Sequence, residues 1–317
     1  MNIKVYFKIF IVFLNEREDI MKYNKLQWIN FFRDLAEKQL PTIERLKTRE
    51  QKSKAINQLI KNYLADSLKN IKSKAKNHNW KKEEILHEIL LVTYASYIVM
   101  LEYRNKVWPY EYMAFARRIG ELWEPFCKIP FEHSICPLDI IEPYSFKLIH
   151  DKMRKDATDY ISCLSLSEEV ENSLINYYDL PWSLVDSGGI KMELDLHFHQ
   201  MGINYNCDFK SGFSSNEKGN TNRLLLVGSI YHSLDSNEKT ILFVRQEESQ
   251  NNHYFQSLKK SPYWECFCAN SCYEKIAEFT GFNLRAWMDE NIDWYNDISS
   301  DLKHHLEENN LVEYLTW

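Results

Sequence analysis

The sequence predicts an α/β (α+β) fold, in which a mixed sheet flanked by helices follows a large N-terminal helical region. The chain has 317 residues, 44% of them hydrophobic, which is enough for a sizeable core. Charged residues make up 26%, and there are only 8 Gly and 8 Pro, so disordered and low-complexity classes are excluded. Near residue 186 the hydrophobic pattern changes from the helical period to strand alternation.

The N-terminus carries a short apolar run from Val5 to Leu14, interrupted by Lys8. This run is too short to cross a membrane, and no small-residue cleavage site follows it. We interpret residues 1–20 as a start extension before Met21. The seven cysteines are an odd number in a long chain, which argues against a disulfide framework. A cytoplasmic protein without a membrane anchor is therefore predicted.

Residues 21–108 are predicted to be helical and basic. Thirteen Lys and Arg residues lie between Lys38 and Lys82 against three acidic residues, a local charge of about +10. Such a segment is either a solvated helical face or a DNA-contacting surface that faces phosphates. The stretch from Leu86 to Asn105 is apolar almost all round, which predicts a central buried helix.

Residues 109–285 carry the predicted core. Its first helix should begin at Pro109 and end at Pro125, and residues 145–180 return to helix. After the alternating segment come a helix capped by Asn220 or Thr221 and a strand over residues 239–246. A further strand over "YWECFCA" precedes a helix with a capping box from Ser271 to Glu274 and a stop at Gly281.

The alternating segment predicts a β-hairpin that concentrates charge on one face. If Met201 and Gly202 form a two-residue turn, Asp195 opposes Asp208 and Glu193 opposes Lys210. Directly opposed residues point to the same side, and two carboxylates there repel unless a cation lies between them. Hard oxygen ligands favour Mg²⁺, and a neighbouring lysine can orient or help deprotonate an attacking water and stabilise charge on a phosphate. The alternative is a solvated hairpin face with ordinary surface charges.

The pattern Asp195-x12-Asp208-Phe209-Lys210, followed by a helix and a strand, resembles the PD-(D/E)xK nuclease superfamily, particularly type II restriction endonucleases. The resemblance implies a restriction-endonuclease-like core, with Asp195 and Asp208 as metal ligands and Lys210 as the catalytic lysine. It also implies Glu121 as an auxiliary catalytic acid. Leu194 replaces the proline that names the motif, and Asp208 stands where Glu is more frequent.

The segment after the predicted catalytic strand is polar, contains Gly and is rich in amides. Asn can read adenine, and Arg or Lys can read guanine or hold phosphate. A flexible surface connector is the alternative. The candidate DNA-binding residues are Ser214, Asn216, Lys218, Asn220, Asn222 and Arg223, together with Arg117 on the preceding helix.

We therefore expect a Mg²⁺-dependent, site-specific double-stranded DNA endonuclease of the type II restriction kind. By resemblance it would be a homodimer with a cognate DNA methyltransferase encoded nearby. A repair or defence nuclease acting on modified or branched DNA and a non-catalytic nucleic-acid-binding protein remain alternatives. So does a zinc protein that uses His197 and His199 or the cysteine cluster at Cys266, Cys268 and Cys272.

The net charge of −6 disfavours indiscriminate coating of nucleic acid. Much of the acid lies in a predicted helical tail, residues 286–317, with eight acidic residues against one lysine. We expect this tail to lie away from DNA.

Overall fold

The computed structural model describes residues 22–183, 189–213, 217–234 and 237–317. The predicted extension, residues 1–20, and the candidates Ser214 and Asn216 lie outside these ranges. The described chain contains twelve α-helices and a five-stranded sheet, so the mixed α+β class is confirmed.

The strands are β1 Asp139–Ile140, β2 Leu196–Gln200, β3 Ile203–Lys210, β4 Glu238–Val244 and β5 Trp264–Cys268. Six helices precede β2, namely α1 Lys25–Glu44, α2 Arg49–Asn77, α3 Lys82–Val107, α4 Tyr112–Glu132, α5 Phe146–Ser162 and α6 Glu168–Ser183. Six follow β3, namely α7 Lys218–Leu234, α8 His253–Lys260, α9 Asn270–Thr280, α10 Leu284–Asn291, α11 Trp294–Asp297 and α12 Ser300–Glu308. Two short 3₁₀ helices span Glu248–Gln250 and Val312–Tyr314.

The sheet is mixed and has the spatial order β1-β2-β3-β4-β5. The first three strands pair antiparallel, whereas β3, β4 and β5 run parallel. Parallel neighbours need a crossover, which α7 supplies between β3 and β4 and α8 supplies between β4 and β5. β3 is therefore the central strand, hydrogen-bonded along both of its edges.

The β2–β3 hairpin turns at Met201 and Gly202, both with positive φ, 51° and 81° respectively. A two-residue turn with positive φ at both positions matches the right-handed twist of the strands, and glycine adopts this conformation without strain. The ladder runs from Gln200↔Ile203 to Leu196↔Cys207, so the predicted register is confirmed.

The predicted opposition of Glu193 and Lys210 is wrong, because β2 begins only at Leu196. The carbonyl oxygens of Lys191 and Glu193 instead accept hydrogen bonds from Arg223 Nη1, at 3.3 and 3.4 Å. Because these carbonyl groups bond to the Arg223 side chain, residues 191–193 do not continue the ladder between β2 and β3.

One face of the sheet packs on a thick helical layer around α3. Residues 88–104 of this helix are all buried, which confirms the predicted central helix. Phe131 from α4 meets Phe198 of β2 with ring centroids 5.2 Å apart. The same hydrophobic core extends from Trp28 to Leu311, so the predicted segments 21–108, 109–285 and 286–317 share a single core.

The opposite face of the sheet packs on α7, α8 and the start of α5. Leu242, Val244 and Trp264 belong to this second core, and the Trp264 indole N–H donates to the Leu224 carbonyl at 2.9 Å. Gly228 permits the contact, because a Cβ there would lie 2.4 Å from the indole nitrogen.

Three predicted helix boundaries are wrong. The helix expected to end at Pro125 continues to Glu132, because its apolar stripe is buried in the main core and outweighs the lost backbone hydrogen bonds. The helix expected to be capped by Asn220 or Thr221 begins earlier, at Lys218. The Ser271 hydroxyl bonds the backbone of Cys268 and forms no capping box, since Ala269, with φ 47°, precedes the helix.

Helix α3 is long and apolar enough to cross a membrane by length and composition, with a mean hydropathy of 1.5 over its best window. However, 83% of that window is buried inside the protein. Burial of this extent is typical of a core helix, and the cytoplasmic location stays a prediction.

Candidate active site

Asp195, Asp208 and Lys210 come together where β3 emerges from the centre of the sheet. Asp208 and Lys210 are two residues apart on β3, so their side chains share a face. Lys210 Nζ lies 2.7 Å from Asp208 Oδ2 and 3.9 Å from Asp195 Oδ2. One ammonium group therefore faces both carboxylates. The ladder ends at Leu196↔Cys207, so the predicted pairing of Asp195 with Asp208 is not part of it, although both side chains lie beside Lys210.

Asp195 directly precedes β2 and is held from two sides. Its Oδ2 accepts a hydrogen bond of 2.8 Å from the Phe209 backbone N–H, which turns the carboxylate toward β3. Its carbonyl oxygen accepts one of 3.3 Å from Lys128 Nζ on α4. The side chain is 26% exposed, so this acid is the one of the pair that water and ligands reach.

Asp208 is almost completely enclosed, with a side chain only 1% exposed. Burial raises its pKa to about 6, and the Asp195 charge adds to the rise, whereas Lys210 and Arg223 lower it. Its Oδ2 makes no hydrogen bond of good geometry, although the Lys210 ammonium lies close to it. A carboxylate that is enclosed this far from water is a group that a bound cation would stabilise.

The pKa of Lys210 is raised above its ordinary value. Burial lowers it, but the charges of Asp208, Asp195 and Glu124 outweigh this effect. Lys210 therefore stays protonated at neutral pH, so it acts as a fixed positive charge and not as a base.

Arg223, predicted to contact DNA, points into the site. Its Nη2 lies 3.7 Å from Asp208 Oδ1, while Nη1 holds the carbonyl oxygens of Lys191 and Glu193. The guanidinium group thus ties the segment before β2 to the buried acid.

Glu121 is not joined to the carboxylates by any described contact. Its two oxygens pair with Arg117 Nε at 2.6 Å and with Arg118 Nη1 at 3.1 Å. Arg117, which was predicted to contact DNA, is therefore paired with Glu121. Glu124, one turn further along α4, acts on the site instead: its charge raises the pKa of Lys210, and it pairs with Lys128 at 2.9 Å.

The remaining predicted DNA contacts lie on the first turns of α7. Lys218 and Asn222 are exposed. Asn220 donates from Nδ2 to Glu217 Oε2 at 3.3 Å. The two exposed residues present a lysine and an amide to solvent shortly after β3, and their contact with DNA stays a prediction.

His197 is buried and belongs to a hydrogen-bond network, not to a metal site. Its Nε2 accepts from the Leu194 N–H at 2.9 Å, which places the proton on Nδ1, 2.8 Å from Asn206 Oδ1. Asn206 in turn donates to Glu238 Oε2 at 2.8 Å. Burial lowers the pKa of His197, so the ring stays neutral behind the two carboxylates.

The cysteine cluster consists of unpaired thiols. Burial raises the pKa of Cys266 to about 12 and that of Cys268 to about 11, so neither is a ready metal ligand or nucleophile. Within the described ranges, no three His, Cys, Asp or Glu residues are grouped closely enough to hold a metal ion.

Comparison with known proteins returned no matching family model, no similar curated protein and no similar solved structure.

Proposed function

We propose that this protein is a Mg²⁺-dependent, site-specific double-stranded DNA endonuclease that hydrolyses phosphodiester bonds. One observation carries the proposal: a protonated lysine lies between a buried and a partly exposed carboxylate at the end of the central strand. Burying the Asp208 carboxylate costs free energy. Titratable groups whose pKa values are shifted in this way are concentrated at functional sites.

The donor set fits Mg²⁺. This ion usually binds through one or two carboxylates and keeps waters and substrate phosphates as its other ligands. Asp195 and Asp208 would hold it, since these are the two carboxylates that lie on either side of Lys210. When bound, the cation would neutralise the phosphodiester charge.

The chain's own residues then have separate tasks. Lys210 would stabilise the negative charge that develops on the phosphate, since its raised pKa keeps it protonated. Asp195, fixed by the Phe209 N–H, would orient the attacking water on the exposed side. Arg223 would keep the buried Asp208 in place.

The order of elements supports the same proposal. A helix that bears Glu121 and Glu124 precedes the hairpin with the acids, and a helix and a parallel strand follow it. This is the order that the resemblance to PD-(D/E)xK nucleases implies. The exposed Lys218 and Asn222 would meet DNA beside the site.

The test is plasmid cleavage by purified protein in Mg²⁺. We expect Asp208→Asn and Lys210→Met to lose at least about 100-fold in rate, as expected when a group that stabilises transition-state charge is removed. Glu265→Gln and Lys239→Met are the matched controls, because this exposed strand pair removes the same charges away from the site.

Undiminished cutting by both site variants would refute the assignment of the site. DNA binding without hydrolysis in Mg²⁺, Mn²⁺ or Ca²⁺ would favour the non-catalytic alternative. Cutting restricted to methylated or branched substrates would favour the repair or defence alternative.

A further inference from the structure

Helices α5 and α6 form a helical hairpin that is attached to the rest of the described protein at one end. Trp182 near the end of α6 contacts Phe146 at the start of α5, so the helices run antiparallel. Ile149, 3% exposed, anchors α5 in the second core, and Arg154 joins Asp179 across the hairpin at 2.9 Å. Helix α6 has no buried residue.

The outer surface of this helical hairpin carries apolar side chains that the described part of the chain leaves exposed. Eight of the seventeen large hydrophobic residues that are exposed in the described chain lie between Leu148 and Leu180. On α6, Val170, Leu174 and Tyr177 recur at helical spacing and form one stripe, with Tyr177 74% exposed. Monomeric proteins rarely leave a large apolar surface open to water.

We propose that this surface is the self-association interface of the protein, covered by the same helical hairpin of a second copy. The inference is independent of the proposed nuclease function. It commits to a two-fold arrangement in which the hairpins lie in opposite directions, so that the tip of each packs on the base of the other.

The charge distribution favours that partner. The tip, residues 156–172, has no Lys or Arg and carries Asp156, Asp159, Glu168, Glu169 and Glu171. The base, residues 147–155 and 173–183, carries Lys147, Lys152, Arg154 and Lys155 against Asp151 and Asp179, so its net charge is positive. Opposed hairpins therefore place each acidic tip against a basic base, whereas hairpins in the same direction would place like charges together.

The available area also suits a second copy. Burying a side chain of this size removes on the order of 60–120 Å² from water, so the α6 residues Val170, Leu174, Tyr177 and Leu180 supply roughly 240–480 Å² per copy. The charged residues of the tip and the base add to this area, toward the ~800 Å² per partner that specific interfaces bury.

The experiment measures molar mass by light scattering over a roughly hundredfold range of protein concentration. We expect a dimer for the unmodified chain and roughly 100-fold or more weaker association for Leu174→Glu with Tyr177→Glu. Both side chains are exposed, so the fold should persist, which circular dichroism checks. Leu26→Glu, at a residue 60% exposed on α1, is the matched control and should leave the dimer intact.

A charge-reversal pair tests the direction of packing. Replacing Glu168, Glu169 and Glu171 together by Lys makes the tip basic, and Lys152→Glu with Lys155→Glu makes the base acidic. Each variant alone should associate more weakly, and a mixture of the two should recover the dimer. A monomeric unmodified chain, a dimer insensitive to the apolar substitutions, or a mixture that fails to recover would overturn the proposal.

Discussion

Replacing Asp208 by Asn should change how the stability of the metal-free protein depends on pH. Asp208 is 1% exposed, and burial raises its pKa from an ordinary 3.8 to about 6. The unfolded chain is then the stronger acid at this position, so ionisation of Asp208 favours unfolding. The stabilising contribution is complete below pH 3.8 and is lost as pH rises through about 6.

The rise in pKa corresponds to about 3 kcal/mol, because each tenfold change in proton affinity is worth about 1.4 kcal/mol. Between pH 4.5 and 7.5, about 2 kcal/mol of this loss should be observable. The Asn variant has no ionisation at residue 208. As pH increases from 4.5 to 7.5, the unfolding free energy of Asp208→Asn should therefore rise by about 2 kcal/mol relative to that of the unmodified protein.

The assay is urea unfolding at a series of pH values in EDTA, for the unmodified protein and Asp208→Asn. Asp179→Asn is the matched control, since Arg154 lowers the pKa of this exposed acid and its pH trend should be small and opposite in sign. Parallel curves for Asp208→Asn and the unmodified protein would refute the reasoning. A difference that shrinks with increasing pH would show that Asp208 is an ordinary salt-bridged carboxylate.

Three further changes probe the surroundings of the site. Gly120→Ala should lower the unfolding free energy measured in urea by about 1–3 kcal/mol, because its Cβ would lie 2.6 Å from Ser211 Oγ. Adding Ser211→Gly to the same chain should recover most of that free energy. Met201→Asn should raise the unfolding free energy by about 0.5–1 kcal/mol, since Met201 has φ 51° in the hairpin turn, and a loss would contradict the turn geometry. Burial and the Lys72 charge lower the pKa of His133 to about 4, so acidification from pH 6.5 toward 4 should destabilise the protein relative to His133→Gln. We expect about 1–2 kcal/mol after allowance for partial exposure, and equal acid sensitivity of the two proteins would exclude this effect.

The hairpin and its acids could be predicted because local signals fixed them together. Alternation with period two defines the faces, and a Gly at the turn defines the register, so Asp195 and Asp208 converge without knowledge of the rest of the fold. The central helix α3 was equally predictable, because it is apolar all round.

Features that depend on long-range packing could not be predicted. The burial of His197 requires Glu238, which reaches Asn206 only through the parallel pairing of β3 and β4. Helix α4 passes through Pro125 because its buried stripe compensates for the missing hydrogen bonds, and a sequence does not show how much area a stripe will bury.

The sequence also could not show which of two neighbouring acids, Glu121 or Glu124, lies near the site. Glu121 and Glu124 lie on the same stripe of α4, and helical period alone cannot decide which turn meets the hairpin. Arg223 follows a polar loop, which suggested solvent and DNA. Its actual direction depends on the carbonyl groups of residues 191 and 193, which lie outside the β2–β3 ladder and accept its hydrogen bonds.

The central position of β3 has a consequence for how the protein could diversify. Its backbone is bonded to β2 on one edge and to β4 on the other, so amides near Asp208 should exchange with deuterium only through the largest opening events. Asp208 thus lies in the part of the sheet that should open least often. Lys218 and Asn222 near the start of α7 are exposed, so a substitution there meets water and not a packed neighbour. Under the proposed function, changes at these two positions could alter what the protein binds without disturbing the strand that carries Asp208 and Lys210.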